Sequence, residues 1–331
     1  MKNFLKIFFL ISIFLLGGCS IKSADNVLEK LEKKLKNANS YYLEGTMEIM
    51  NHEDTYTYSV KVSYQKQDYY RIELVNTLNN HEQVILRNDD GVYVVTPSLN
   101  KSFKFQSDWP YDNSQIYLLE ALINDIESDS DYKFVYEDDK FIFKTKVDYP
   151  NNKMLNHQKI VFDNDMDLEK VLVFDSNDVV RMELVIKDIE YSPTFKNNYF
   201  DLNNLIKTFD EVEVVESSKI DDSIFPLFVP SGTKLQNSEI IETDVGERLI
   251  MTFDGDKPFL LVGETADVMD EFTIIPTYGE PYMLIDTLGV VTDNSLSWNS
   301  NGIDYYLVSD VMGKDELVEI ARSISSIPAL K

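Results

Sequence analysis

The sequence predicts a mainly β protein with some α-helix. We expect an open, strongly curved sheet of about eleven antiparallel strands with a helical lid, followed by a small α+β domain. Segments in which apolar and polar residues alternate recur between residues 55 and 190, and this period of two is typical of strands. The turns between them are short and polar, as in antiparallel sheets. After residue 225 the composition changes, because eight of the twelve glycines and six of the ten prolines lie there.

The first 19 residues predict a cleaved secretory signal and a lipid anchor. Lys2 and Lys6 precede residues 7–16, which comprise nine apolar residues and one serine. This basic and then apolar pattern is typical of a signal peptide and is too short to span a bilayer. Leu16-Gly17-Gly18-Cys19 resembles the bacterial lipobox, and Cys19 is the only cysteine in the chain. We expect residues 1–18 to be removed and Cys19 to be lipidated at the extracytoplasmic face of the cell membrane. The alternative is an ordinary signal peptide with an incidental cysteine.

Charge excludes one class of partner. Without the two lysines of the signal, the chain carries 29 basic and 57 acidic side chains, a net charge of −28. Nucleic-acid binding requires a basic surface, so we expect no nucleic-acid partner. Adsorption to an anionic leaflet is disfavoured for the same reason, so the predicted membrane contact depends on the lipid at Cys19.

The first predicted elements are a helix and a strand. Leu28, Leu31 and Leu35 recur at helical spacing within residues 25–39. Residues 55–64 then alternate strictly, with small polar residues and lysine on one face and apolar residues on the other. The apolar face must contact other apolar groups, either as core or as the wall of a ligand cavity. Its candidate cavity residues are Tyr56, Tyr58, Val60 and Val62.

Further strands predict the rest of the curved sheet. They lie at residues 70–75, 83–87, 92–96, 102–106, 133–137, 141–146, 158–163, 170–174 and 180–190. A second helix is predicted at residues 114–126, where Ile116, Leu119, Leu122 and Ile126 form an apolar stripe. The two helices are available to cover the concave side of the sheet.

A linker separates the two predicted domains. Residues 210–223 are acidic and contain serines, so we expect a half-barrel domain at 19–209, the linker at 210–223 and a small α+β domain at 224–331. The second domain has short strands at 248–253, 259–262, 295–298 and 305–309. Asn301-Gly302 favours a hairpin turn between the last two, and a final helix is predicted at 314–325.

No pattern predicts catalysis. The chain has no nucleophile elbow, dinucleotide fingerprint or phosphate loop, and its three histidines, His52, His81 and His157, are too few for most metal sites. Asp163–Glu169 resembles a calcium loop in its spacing of acids, but Leu168 stands where the loop requires glycine. We therefore predict no enzyme, no catalytic residues, no metal and no cofactor, and we interpret that loop as a hairpin turn.

Three stretches resemble a known family. They are "QVILRNDDGVYVVTPSLNKSFKFQSDWPYDNSQIYLL" from Gln83, "NKMLNHQKIVF" from Asn152, and "LVIKDIEYSPTFKNNYFDL" from Leu184. They resemble the LolA-like lipoproteins of endospore-forming bacteria, which act in sporulation and germination. "LGVVTDNSLSWNSNGIDYYLVS" from Leu288 resembles a second domain of unknown function that occurs in such lipoproteins.

The resemblance implies a function. LolA-like proteins form half-barrels of eleven strands closed by helices, and their apolar cavity holds the acyl chains of a lipoprotein. It therefore implies a binding module for an acyl chain or lipoprotein, anchored to the cell membrane or to the forespore membranes. The alternative is a non-catalytic scaffold, because related germination lipoproteins assist a cell-wall amidase that modifies spore cortex.

Trp109 and Pro110 lie in the first of these stretches. Proline cannot continue a strand ladder, so we expect the pair to form the crossover from sheet to helix, with Trp109 packed under the helix. Trp109 is also a candidate for the mouth of the ligand cavity. Arg87, at the end of a predicted strand, is interpreted as an outward charge, and the alternative is a donor that holds the helical lid.

The predicted lipidation of Cys19 can be tested by substitution. Cys19→Ala removes the sulfur that would carry lipid, so the variant should lack acyl chains and lose its membrane attachment. Mass spectrometry and membrane fractionation measure the two effects. A variant that stays lipidated and membrane-bound would remove the case for Cys19.

Overall fold

The computed structural model describes residues 23–51, 54–107, 109–110, 114–149, 152–209, 220, 224–284 and 286–324. The predicted signal and Cys19 lie outside the described residues. So does the predicted linker at 210–223, apart from Ile220, whose side chain is buried in the C-terminal core.

The larger sheet contains twelve strands in the order β15-β6-β5-β4-β3-β2-β1-β11-β10-β9-β8-β7. Its first eleven strands are β1 (Ser40–Asn51), β2 (Asp54–Gln65), β3 (Tyr69–Asn76), β4 (Glu82–Asn88), β5 (Gly91–Thr96), β6 (Lys101–Phe105), β7 (Lys133–Glu137), β8 (Lys140–Lys146), β9 (Leu155–Phe162), β10 (Leu168–Asp175) and β11 (Val180–Tyr191). All eleven pair antiparallel. The sheet stays open, which confirms the predicted half-barrel.

The C-terminal part forms a second sheet of seven strands and a helix. Its strands are β12 (Thr233–Thr243), β13 (Gly246–Gly255), β14 (Phe259–Thr265), β16 (Glu280–Met283), β17 (Leu288–Val291), β18 (Ser295–Ser300) and β19 (Ile303–Val308). One further strand, β15 (Thr273–Thr277), leaves this part of the chain and pairs parallel with β6 of the half-barrel. The C-terminal residues therefore complete the first sheet as well as forming the second.

Strand β1 lies near the middle of the half-barrel, between β2 and β11, and the strands predicted from the sequence did not include it. Its apolar side chains nevertheless alternate, with Tyr41, Leu43, Met47 and Ile49 buried on the inner face. Gly45 occupies an inward position of the same alternation, beside a bulge against β11. A Cβ there would lie 2.7 Å from the carbonyl oxygen of Val185, so glycine is required by the close approach of the two backbones.

Two helices cover the inner face of the half-barrel. Helix α1 (Ala24–Asn37) buries Val27 and Leu31, close to the prediction, and α2 (Leu119–Ser128) buries Leu122 and Ile126. The prediction that the second helix begins at 114 was wrong. Ser114 is instead tied to the end of β8, because its backbone N–H donates to Asp148 O at 2.8 Å, and the chain becomes helical only five residues later.

The outer face of the half-barrel carries a separate apolar cluster. After β11 the chain crosses this face and places Phe200, Leu202 and Leu205 on residues of β4 and β5. The short helix α3 (Leu202–Ile206) carries two of them, and Asp201 caps it by accepting from Asn204 N. The half-barrel is therefore packed on both sides near β4, which makes this strand a fixed support.

Gln83 of β4 joins the half-barrel to the C-terminal part through a buried set of hydrogen bonds. Its Oε1 accepts from Leu288 N at 2.6 Å and from Thr287 Oγ1 at 3.0 Å, and its Nε2 donates to Leu288 O and Thr96 Oγ1, both at 3.3 Å. Lys101 adds an ion pair with Asp304 at 3.2 Å. We call the contact of Gln83 with Thr287 and Leu288 the Gln83 junction.

Gln83→Ala tests the Gln83 junction. The substitution leaves the buried Leu288 N–H and Thr287 hydroxyl without their acceptor, and each buried unsatisfied group costs about 1–3 kcal/mol. We expect the free energy of unfolding to fall by roughly 2–4 kcal/mol, measured by denaturant titration. Gln236→Ala, at an exposed position of β12, is the control and should change little. Equal losses in the two variants would show that the junction does not stabilise the structure.

Candidate ligand-binding cavity

A cavity lies in the mouth of the half-barrel, between its inner face and the C-terminal part. We call it the mouth cavity. Its enclosed volume is about 60 Å³, which is smaller than the roughly 300–1,000 Å³ typical of small-molecule sites, so an occupant larger than a few water-sized groups must widen it. Most of its lining is apolar or aromatic, and the lining residues are Ile49, Ile85, Trp109, Gln115, Tyr117, Tyr149, Asn152, Leu155, Met182, Pro281, Tyr282, Met283, Leu284, Leu288 and Arg322.

The half-barrel supplies the floor of the mouth cavity. Ile49 of β1, Ile85 of β4 and Met182 of β11 come from three strands, and each side chain is nearly or fully buried. They point to the same side because they occupy inward positions of the alternating pattern. The apolar inner face that the sequence predicted therefore continues past the part that α1 and α2 cover.

The C-terminal part supplies the opposite wall. Strand β16 brings Met283 to the cavity, and Leu284 follows it. A tight turn then returns the chain, with Leu284 N donating to Thr287 O at 2.9 Å. Leu288 lies directly after this turn and is held by the Gln83 junction. The predicted helical lid is thus only part of the cover, because this turn closes the mouth.

One end of the mouth cavity is polar. Arg322, the last residue of α4 (Lys314–Arg322), lines it together with Tyr149 and Asn152. The side-chain amide oxygen of Asn152, in the orientation that its neighbours require, accepts from Arg322 Nη1 at 2.8 Å and from Nη2 at 3.1 Å. Asn51 Nδ2 donates to the Arg322 backbone carbonyl at 3.2 Å, which ties the end of α4 to β1. Burial raises the pKa of the Tyr149 phenol well above its usual range, so the phenol stays protonated at neutral pH.

Trp109 lies at the border of two spaces. It is 6% exposed, and its ring meets Tyr70 edge-on with centroids 5.9 Å apart. It lines both the mouth cavity and an open groove of about 400 Å³ beside Tyr278 and Lys314. The side chain of Arg87 donates to the Trp109 carbonyl, so the interpretation of Arg87 as a simple outward charge was wrong.

The other residues that the sequence offered as candidates for the cavity do not line the mouth cavity. Val60 and Val62 are completely buried and Tyr58 is 3% exposed, all within the core of the inner face. Tyr56 is half-buried and lines a smaller, polar pocket beside Asp286 and Arg322. Of the candidates, Trp109 therefore contacts the mouth cavity, and Tyr56 lies next to its polar end.

Sequence reasoning missed the residues that the C-terminal part contributes. Met283, Leu284 and Arg322 carry no motif, and they reach the cavity only because β15 and the Gln83 junction bring the two parts together. Tyr149 follows the end of β8 and was overlooked because it lies outside any predicted strand. No local signal identifies these residues, since their roles depend on long-range pairing.

The lid helix α2 carries two buried carboxyl groups. Tyr41 Oη donates to Glu120 Oε2 at 2.9 Å, and burial raises the pKa of Glu120 to about 7. Asp125 accepts from Ser114 Oγ at 2.9 Å and Gln158 Nε2 at 2.7 Å, while burial raises its pKa to about 6. The seating of α2 on the half-barrel is therefore sensitive to pH near neutrality.

Within the described ranges, no three or more histidine, cysteine or acidic side chains come together as a metal site. Asp163 instead closes the predicted hairpin turn, accepting from the backbone of Asp165 and Asp167 at 2.9 Å. Among the helices that the structure describes, none is long and apolar enough to cross a membrane.

Comparison with known proteins identifies the relatives of this chain. A profile of the sporulation protein YdcC-like family matches residues 1–200. Sporulation protein YdcC of Bacillus subtilis (strain 168) is 37% identical over 319 residues, covering 95% of this chain and 94% of that protein. The structure of the CwlD amidase from Clostridioides difficile in complex with the GerS lipoprotein is similar over 51% of this chain and 96% of the matched chain, at 20% identity and a TM-score of 0.32. The LolA superfamily protein NE2245 from Nitrosomonas europaea is similar over 55% of this chain and 99% of its own, at 10% identity and a TM-score of 0.32.

Glu120→Gln tests the pH sensitivity of α2. Below pH 4.5, the ordinary pKa of this carboxyl group, it is protonated in both folded and unfolded states. As the pH rises toward 7, the folded state retains a proton that the unfolded state loses, so stability should fall. The neutral glutamine removes this loss, and the stability of the variant relative to wild type should rise by roughly 2–3 kcal/mol between pH 4 and 8.

Denaturant unfolding across pH 4–8 measures the difference. Glu137→Gln, at an exposed position of β7, is the matched control and should follow the wild-type pH profile. An unchanged profile for Glu120→Gln would show that Glu120 does not destabilise the folded state when it ionises.

Proposed function

We propose a function from the premise that this chain belongs to the sporulation protein YdcC-like family. It is an extracytoplasmic lipoprotein, anchored to the cell membrane or a forespore membrane, that holds an acyl chain in the mouth cavity during sporulation. The bound acyl chain belongs either to a free lipid or to another lipoprotein. The protein acts by binding and not by catalysis.

The mouth cavity is the observation that carries this proposal. Ile85, Leu155, Met182 and Leu284 give it apolar walls, and apolar walls favour an apolar occupant because water there has few hydrogen-bond partners. Each methylene group moved from water into such a cavity contributes roughly 0.8 kcal/mol. The cavity as the structure has it accommodates only a short section of such a chain, so the wall at Leu284 must move outward for a longer section to enter, and each added methylene group then offsets part of the entropy lost on binding.

The predicted anchor keeps the cavity near a membrane. Helix α1 begins at Ala24, five residues after Cys19, and an extended chain spans at most about 3.6 Å per residue. A lipidated Cys19 would hold the start of α1 within roughly 20 Å of the membrane surface. Such a short tether suits exchange of lipid at one membrane better than transport across a wide aqueous space.

A second candidate function is that of a scaffold for a cell-wall amidase, the role the sequence resemblance implies for related germination lipoproteins. One observation favours a protein partner. Strand β12 is an edge of the seven-stranded sheet, and all its residues between Lys234 and Glu242 are exposed, including Leu235, Ile240 and Ile241. Exposed edge strands can pair with a strand of another chain.

Photo-crosslinking tests the acyl-chain proposal. The full-length protein in phosphatidylcholine vesicles is irradiated with a fatty acid that carries a diazirine in its tail, and labelled peptides are identified by mass spectrometry. We expect label on the two walls of the mouth cavity, at residues 281–288 and 152–155. Met283→Trp fills the space beside β16, and it should reduce this label by about tenfold, because the acyl chain loses several buried methylene groups.

Met154→Trp is the matched control. Met154 is 42% exposed and does not line the mouth cavity, so this variant should be labelled like wild type. Thermal unfolding of both variants verifies that they fold. Absence of label at the cavity walls in the folded wild-type protein would contradict acyl-chain binding and leave the scaffold function as the better account.

A further inference from the structure

The polar end of the mouth cavity contains a positively charged side chain. Arg322 brings a permanent positive charge into it, and its Nε is buried without a hydrogen-bond partner among the described residues. Arg322 as a whole is partly exposed, but burying part of a charged group is costly unless an opposite charge or several hydrogen bonds compensate for it. An arginine at this position therefore needs an explanation.

Three other arginines of this chain each pair with a carboxylate that neutralises the guanidinium charge. Arg71, Arg181 and Arg248 each lie within 2.7 Å of a carboxylate oxygen, that of Glu73, Asp175 and Glu264 respectively. The guanidinium of Arg322 has no carboxylate within 4.0 Å in the part of the chain that the structure describes. Its partner is the neutral carbonyl of Asn152, which orients the guanidinium but does not neutralise it.

Asp286 is one candidate for an internal counter-ion, because it lines the small pocket beside Arg322. It bonds instead to Ser300, whose hydroxyl donates to its Oδ2. Burial raises the pKa of Asp286, the opposite of what a strong ion pair with Arg322 would do. Asp286 therefore does not supply the missing negative charge.

Tyr149 adds a second unused donor to the lining of the cavity. Its hydroxyl oxygen is buried and has no hydrogen-bond partner among the described residues, and the residue lines the mouth cavity with Arg322. A buried donor without an acceptor costs about 1–3 kcal/mol. An acceptor group bound in the cavity would satisfy this donor.

We infer that the mouth cavity binds an amphiphile with an anionic head, whose carboxylate or phosphate is held by Arg322 and Tyr149 while its acyl chain lies between Met182 and Leu284. This inference rests on the proposed function and adds the head group to it. The net charge of −28 does not oppose it, because surface charges are screened within about 8 Å at physiological salt, whereas Arg322 contacts the head directly.

The inference also assigns a role to the C-terminal part. Arg322 lies on α4, and Asn51 of β1 and Asn152 before β9 position it from the half-barrel. The half-barrel supplies the floor for the tail, and the C-terminal part supplies the charge for the head. Neither part contains the complete site.

Three photoactivatable probes with the same acyl chain test the head group. They end in a carboxylate, a phosphate monoester or a neutral alcohol, and each is crosslinked to the full-length protein in phosphatidylcholine vesicles at pH 8. We expect the anionic probes to label the cavity walls about tenfold more than the alcohol, the size of one charge-assisted hydrogen bond. Stronger labelling by the phosphate indicates a phospholipid as the source, and stronger labelling by the carboxylate indicates a fatty acid.

Substitutions at Arg322 make the test specific. Arg322→Gln should lower labelling by the anionic probes to the level of the alcohol and leave the alcohol unchanged, and Arg322→Lys should retain part of the preference. Arg248→Gln, on β13 and paired with Glu264, is the control and should behave as wild type. Thermal unfolding verifies folding, and the lysine variant provides the comparison if the glutamine variant is unstable.

Two results would overturn the inference. One leaves the proposed function in place, and the other removes it as well. Equal labelling of wild type by all three probes would show that the cavity holds a tail without recognising its head, so the proposed function would stand alone. No labelling by any probe would remove the proposed function and the inference together.

Discussion

The Gln83 junction is the interaction on which the rest of the candidate site depends. Gln83 lies on β4, which is packed on both faces of the half-barrel, and its amide satisfies both the N–H and the C=O of Leu288. This fixes the turn before Leu288 and thereby the position of Leu284. The wall of the mouth cavity opposite Ile85 therefore depends on this contact together with the pairing of β15 and β6. A single buried amide therefore connects the stability of the fold to the shape of the cavity.

The covering of the half-barrel is divided between two kinds of structure. Helices α1 and α2 pack on the inner face with apolar side chains and bury Glu120 and Asp125 at the same time. The C-terminal part covers the mouth with a turn held by hydrogen bonds and with β15 paired to β6. The pairing of β15 makes the two parts one continuous structure, so the mouth cavity belongs to the whole chain and not to the half-barrel alone.

Local pattern was enough to predict most of the fold. The alternation in β2 placed Tyr58, Val60 and Val62 on the buried face, as the structure has them, and the family resemblance agrees with the profile match over residues 1–200. Strand β1 was missed although its residues alternate, because Gly45 leaves one inward position without an apolar side chain. Its glycine is explained only by the backbone of β11, which the sequence does not place next to it.

The candidate site could be predicted only in outline. An apolar inner face follows from alternation, and Trp109 was identified from its place before Pro110. Arg322 could not be found in this way, because an arginine in the last turn of a helix is ordinarily interpreted as a favourable charge at the C-terminus. Its position in the mouth cavity depends on contacts with Asn51 and Asn152, which are 271 and 170 residues away along the chain.

Native mass spectrometry of the full-length protein released from membranes tests the central claim most directly. If the mouth cavity holds an acyl chain, the folded protein should carry one non-covalently bound amphiphile beyond any covalent lipid. Fragmentation should identify that amphiphile as anionic. A protein that carries no bound lipid but retains a stoichiometric protein partner would contradict the claim and support the scaffold function.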